Sequence, residues 1–169
     1  MAAIKTEKRN TLALFLIYAL ILSWAILFKL QFSPPVMEEG RVLNLIPFPG
    51  SFDGGGLMLS GETKANIFVF IPFGVYVCML KPKWSFGRNI LVIAAVSAAY
   101  ETMQFIFAIG RADITDLLSN TLGGLMGVCL YALAHRLFKG RTDKIINGFA
   151  AVCTVLAVSL IALLLLLNR

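Results

Sequence analysis

Five uninterrupted apolar runs, at residues 12–30, 65–80, 90–109, 117–138 and 145–167, constrain this chain more than any other feature. A helix needs roughly 20 apolar residues to cross a hydrocarbon core about 30 Å thick, and each run is near that length. Backbone polar groups in lipid must be satisfied within the segment, which favours helices. The expected fold is all-α, a polytopic transmembrane bundle of about five spans. Composition agrees: 59% of residues are hydrophobic and 14% charged, against about 45–50% apolar and about 25% charged in soluble proteins. The second run is the shortest and holds Pro72 and Gly74, so a kink or a locally thin span is expected there.

The chain divides into a basic amino-terminal segment (1–11), a membrane domain (12–138) with a long loop at 31–64, and an additional carboxyl-terminal span (145–167). The first run follows Lys5, Lys8 and Arg9, as a signal peptide would. It is longer than the usual core of about 7–15 residues and lacks an A-x-A-like site, so it is expected to remain as a helix.

Lys and Arg in short loops set orientation. They concentrate at the amino terminus, in the second loop (Lys81, Lys83, Arg88) and in the fourth (Arg136, Lys139, Arg141, Lys144). Fewer fall on the alternate side, at Lys29, Arg41, Lys64, Arg111 and Arg169. The amino terminus is therefore expected inside and the carboxyl terminus outside, in a bacterial plasma membrane. Acidic residues sort the other way: Glu7 and Asp143 lie inside, whereas Glu38, Glu39, Asp53, Glu62, Glu101, Asp113 and Asp116 lie toward the outer side. The net charge of +6 thus follows topology and membrane-surface attraction and does not argue for nucleic acid.

Several chemistries lack their residues. Cys78, Cys129 and Cys153 all fall inside spans, with no C-x-x-C and no zinc spacing. His135, the one histidine, sits at the cytoplasmic end of the fourth helix, far from the outer acids, which argues against a histidine-based triad. The glycines of Gly50-Ser-Phe-Asp-Gly-Gly-Gly56 read as a flexible turn, since they neither follow a strand nor precede a lysine as in a phosphate loop. No metal set is assigned. Carboxylates and an asparagine suit a hard cation such as Mg²⁺ or Ca²⁺, but their spacing does not demand one.

The polar residues that enter the membrane gather on one side. Ser97, Glu101 and Gln104 share a face of the third helix. Glu101 lies eight residues before Ile109, roughly 12 Å below the outer boundary at 1.5 Å per residue. A lone acid near the membrane centre costs about 2.5–3.5 kcal/mol, so Glu101 is expected to be compensated, with Arg111 the nearest candidate. Asp113, Asp116, Asn120 and Gly123 share a face of the fourth helix, and Gly123 with Gly127 forms a small-x-x-x-small pair for close helix approach. Glu101, Gln104, Arg111, Asp113, Asp116 and Asn120 form one expected cluster opening outward. Structural roles compete with that reading. Asp113 or Thr115 suits a helix cap, with Asp116 favoured by the helix dipole; Glu101 with Arg111 suits an interhelical latch; Asn120 suits interhelical hydrogen bonding. In the long loop, Val42-Leu-Asn-Leu-Ile-Pro-Phe48 is too short to span and is expected to lie in the interface or dip into the membrane. Glu62, Lys64 and Asn66 sit at the outer mouth of the second helix.

At these residues the chain resembles a known family. Asn44-Leu-Ile-Pro-Phe48, Glu62-Thr-Lys-Ala-Asn66 running into Phe70-Ile-Pro-Phe-Gly74, Glu101-x-x-Gln104 and Arg111-x-Asp113-x-x-Asp116-x-x-x-Asn120-x-x-Gly123 are similar to the ordered motifs of VanZ-like membrane proteins, over about residues 41–130. The resemblance implies an envelope protein linked to glycopeptide resistance, because the founding member gives low-level resistance to teicoplanin. It brings no settled mechanism. Thr115 stands where relatives often carry another acid, a departure that weakens an enzymatic reading.

Three functions stay open at this level. A binding or shielding module would use the outer cleft, with candidate ligand residues Asn44, Glu62, Lys64, Asn66, Glu101, Gln104, Arg111, Asp113, Asp116 and Asn120, to recognise a lipid headgroup, a lipid-linked cell-wall intermediate or a glycopeptide antibiotic. An enzyme on a lipid-linked substrate would use Glu101 and Asp116 as acid and base, with Arg111 stabilising negative charge. A proton-coupled transporter would use Glu101 as relay, but the inner halves of the helices offer almost no polar path.

Overall fold

The computed structural model describes residues 2–28, 43–48, 59–109 and 111–167. The turn expected at Gly50 to Gly56, and Lys29, Glu38, Glu39, Arg41 and Asp53, lie outside them. Five long helices account for most of the rest: α1 (Ala2–Phe28), α2 (Gly61–Leu80), α3 (Phe86–Phe107), α4 (Ile114–Phe138) and α5 (Thr142–Leu167). Each of the five apolar runs falls on one helix over nearly all its described residues, and the shortest helix, α2, has 20 residues, about 30 Å at 1.5 Å per residue. The chain is an all-α protein with helices long and apolar enough to cross a membrane.

The helices overrun the apolar runs at their polar ends. α1 continues through the basic segment, and α2 begins at Gly61 rather than at residue 65, because the Ser60 side chain accepts the Thr63 amide as an N-cap. Glu62 and Lys64 thereby belong to the first turn of α2. Ser85 caps α3 in the same way, and Asp113 caps α4 by accepting the Thr115 amide at 2.7 Å. Hydropathy cannot see such turns, since a cap is a polar residue that starts a helix.

Between α4 and α5 the apolar, helical stretch runs for 54 residues, from Ile114 to Leu167. A short 3-10 turn at Lys139–Arg141, with Lys139 at φ 49°, breaks it. Tyr131 and Asp143 are twelve residues apart, about 18 Å along a straight helix, yet their side chains hydrogen bond at 2.9 Å. α5 therefore folds back. It lies against α1, where Thr11 and Asn147 exchange side-chain hydrogen bonds at 2.9–3.2 Å, and its outer face is almost wholly exposed, as suits lipid contact.

The core is the crossing of α2 and α4, the most extensive contact in the fold. Glycine makes it possible: a Cβ on Gly123 would overlap the Ile67 carbonyl, on Gly127 the Ile71 carbonyl, and on Gly74 the Gly124 carbonyl. The small-x-x-x-small pair is thus a backbone-to-backbone contact. Around it pack Leu22, Ile26, Phe70, Phe73, Val77, Cys78, Ile93 and Val128. Pro72 lies within α2 without ending it. A proline in this position removes an amide and crowds the preceding turn, and the Tyr18 hydroxyl donates to the carbonyl of Val69 in that turn.

A two-residue parallel pairing closes one end. β1 (Leu43–Asn44) lies beside β2 (Ala112–Asp113). The described part of the 42–48 segment is thus partly strand and mostly exposed, with Leu45 and Ile46 about two-thirds accessible.

Candidate functional site

The end of the bundle that holds this pairing also holds a pocket of about 310 Å³. Four helices contribute. From α2 come Glu62, Asn66 and Val69, spaced by four and three and so on one face. α3 supplies Glu101 and Gln104, α4 supplies Asp116 and Asn120, and α1 supplies Ala25 and Ile26. One wall is apolar, from α1 and the inner part of α2. The facing wall, from α3 and α4, is polar.

Three polar groups there, Gln104, Asn120 and Glu101, are held by specific neighbours. Gln104 is 2% exposed, and its Nε2 donates to the Ile26 carbonyl at 3.0 Å, tying α3 to α1. Asn120, fully buried, donates through Nδ2 to Ser97 Oγ at 3.0 Å, tying α4 to α3. Each amide donates once to the protein, and Gln104 Oε1 and Asn120 Oδ1 have no hydrogen-bond partner among the described residues. Buried acceptors are almost always satisfied, so these two oxygens make the pocket a place for a hydrogen-bond donor.

Glu101 is 8% exposed, and its Oε2 accepts the backbone N–H of Asp113 at 2.8 Å. Arg111, the cation expected near Glu101, begins the same turn and is exposed, and the amide two residues further on donates to one of the two carboxylate oxygens. Asp113 holds three connections at once: its amide to Glu101, its Oδ1 to the Thr115 amide, and its Oδ2 to the Asn44 side chain at 2.9 Å. Asn44 Oδ1 in turn accepts the Ile46 amide, and Thr115 Oγ1 accepts the Phe48 amide at 3.0 Å. Asn44, Asp113 and Thr115 therefore fasten the 43–48 segment over the start of α4. The departure at Thr115 has a structural role, since a buried hydroxyl receives a loop amide there.

Of the ten residues singled out from the sequence, Glu62, Asn66, Glu101, Gln104, Asp116 and Asn120 line the pocket. Asn44 and Asp113 form the brace beside it, and Lys64 and Arg111 are exposed outside its lining. Sequence reading placed Ser97 on the right face without assigning it to the site, and it missed α1 entirely. An apolar stretch such as Ala25-Ile26 carries no polar signal, and the contribution of Ile26 is a backbone carbonyl. Among the described residues no group of three or more His, Cys, Asp or Glu is placed to hold a metal ion.

The VanZ/LLP1 family model matches residues 15–135, which include every pocket and brace residue above. Protein VanZ of Enterococcus faecium is 35% identical over 147 residues, covering 84% of each chain. No solved structure matches this chain.

Proposed function

This chain belongs to the VanZ/LLP1 family, and from that premise we propose that it lowers susceptibility to teicoplanin by binding an amphiphile at its polar pocket. The ligand is a lipid-linked cell-wall intermediate or the glycopeptide itself. The protein sits in a bacterial plasma membrane with the pocket facing outward, an orientation supported by the distribution of Lys and Arg.

One observation carries the reading: a pocket with an apolar wall of Ala25, Ile26 and Val69 is lined on its other side by Gln104 and Asn120, whose buried amide oxygens have no donor among the described residues. Such a pocket suits a molecule that is apolar on one side and offers N–H or O–H groups on the other. Placing Glu101 and Asp116 on the same pocket also favours a second reading, an enzyme on a lipid-linked substrate with these carboxylates as acid and base. Binding is preferred because one Glu101 oxygen already holds the turn before α4.

The test is teicoplanin and vancomycin susceptibility of a sensitive Gram-positive host expressing the chain, beside Glu101→Gln, Asp116→Asn and Asn120→Leu variants that reach the membrane at equal level. Binding predicts teicoplanin protection by the parent and graded loss across the variants. Abolition by a carboxylate change that leaves ligand affinity intact would favour the enzyme. Absence of protection by the parent removes the resistance role.

A further inference from the structure

The opposite end of the bundle has a second cavity, of about 280 Å³, between α2, α3 and α4. Lys81, Trp84, Asn89, Tyr131 and His135 line it, with Cys78 and Val128 deeper. Its rim is strongly basic. The Lys81 ammonium and the Arg88 guanidinium both lie on the Trp84 ring, 5.5 and 4.5 Å from its centre. Lys83, between Lys81 and Arg88 in the chain, and Arg136, Lys139, Arg141 and Lys144, at the end of α4 and the turn into α5, are all exposed. Between Lys81 and Arg88, and again between His135 and Lys144, the one acid is Asp143, whose carboxylate accepts a hydrogen bond from Tyr131.

Two exposed cations share one indole at the mouth of this cavity, and basic pockets between membrane helices suit lipid headgroups. A second observation points inward. Asn89 is 5% exposed, its Nδ2 donates to Cys78 Sγ at 3.6 Å, and its Oδ1 has no partner among the described residues. The cavity therefore presents positive charge at its mouth and an unsatisfied acceptor within. A bare phosphate answers only the first; an anionic headgroup that also carries a hydroxyl answers both.

We propose that this cavity binds the headgroup of an anionic, hydroxyl-bearing phospholipid, of which phosphatidylglycerol is the simplest example. The phosphate lies at Lys81 and Arg88, and a headgroup hydroxyl donates to Asn89 Oδ1. The acyl chains run along the exposed Phe86 and Leu91 of α3. The site is independent of the polar pocket and faces the other leaflet.

Trp84 is the probe. The full chain carrying Trp24→Phe retains Trp84 as its single indole, and in neutral maltoside micelles it is titrated with phosphatidylglycerol, phosphatidic acid and phosphatidylcholine of one chain length, and with inorganic phosphate. The expected result is saturable change in Trp84 emission with phosphatidylglycerol, at least tenfold tighter than with phosphatidylcholine. Lys81→Gln should weaken it by about fivefold, the worth of one basic residue near an anionic surface. Asn89→Leu should bring phosphatidylglycerol down to the affinity of phosphatidic acid. Equal response to phosphatidylcholine overturns the proposal, as does an equal response to inorganic phosphate. Full retention of the phosphatidylglycerol preference in folded Asn89→Leu overturns the hydroxyl contact. Should Asn89→Leu fail to fold, the parent's preference for phosphatidylglycerol over phosphatidic acid decides the same point.

Discussion

Gly127→Ala tests the feature on which the rest of the bundle depends. In most helices this change stabilises, by roughly 0.5–1 kcal/mol, because alanine loses less backbone freedom on folding. Here the added methyl would overlap the Ile71 carbonyl and press on the Val75 amide. Neither is the flexible end of a side chain, so neither can rotate away. Restoring an ordinary C···O separation of about 3.3 Å requires α2 and α4 to part by about 1 Å. A gap of about 0.5–1 Å already forfeits a quarter to a half of each dispersion contact, and this is the largest contact in the fold. Overpacking costs about 1–3 kcal/mol in general. With backbone as the obstacle the upper half of that range applies, leaving a net loss of about 1–2 kcal/mol after the helix preference is subtracted. The assay is reversible unfolding in mixed detergent micelles, followed by helical circular dichroism. Gly148→Ala on α5 is the internal control, because nothing lies within 4 Å of its added methyl; it should be neutral or slightly stabilising. If Gly127→Ala matches Gly148→Ala, the helices do not meet backbone to backbone and the account of the core is wrong. The same movement should shift Asn120, two turns earlier on α4, away from Ser97, so the variant should also weaken any ligand at the polar pocket.

Other perturbations separate the remaining contacts. Tyr18→Phe removes the donor to the Val69 carbonyl beside Pro72 and should cost about 0.6 kcal/mol and at most about 1.7, typical of hydrogen bonds between membrane helices, in the same unfolding assay. Ser60→Ala removes the cap of α2 and should cost about 1 kcal/mol, with faster hydrogen exchange confined to the first turn at Glu62 and Thr63. Asn44→Ala releases Asp113 Oδ2 and the Ile46 amide; exchange at Ile46 and Phe48 should rise while global stability changes by less than about 1 kcal/mol, the scale of one net hydrogen bond. Asn147→Leu breaks the exchange with Thr11 and should loosen α5 from α1, read as a broadened distance distribution between spin labels on those two helices, with α2 to α4 distances unchanged.

The amphipathic signal that locates surface helices is weak here, because lipid replaces water around the bundle and apolar residues occupy both faces. Polar residues therefore carried the legible information. Glu101 with Gln104, and Asp116 with Asn120, stood out because a membrane helix keeps such groups only where something receives them, and all four line one pocket. Arg111 was legible as a compensating cation near Glu101; the amide that holds one oxygen of that carboxylate was not. Backbone groups have no residue type, so neither the Asp113 amide nor the Ile26 carbonyl on Gln104 could be read in advance.

Helix number, the apolar part of each helix, and the glycine contact were determined by the sequence alone, because the cost of an unpaired backbone group in lipid leaves a 20-residue apolar segment no other form. Tertiary structure decided which helices meet. It set α2 on α4, laid α5 back along α1, brought Asn44 to Asp113 across 69 residues, and left the acceptors of Gln104 and Asn120 without a donor among the described residues. Those outcomes follow from how side chains and backbones interlock in three dimensions, and an apolar segment reads the same whichever neighbour it finds.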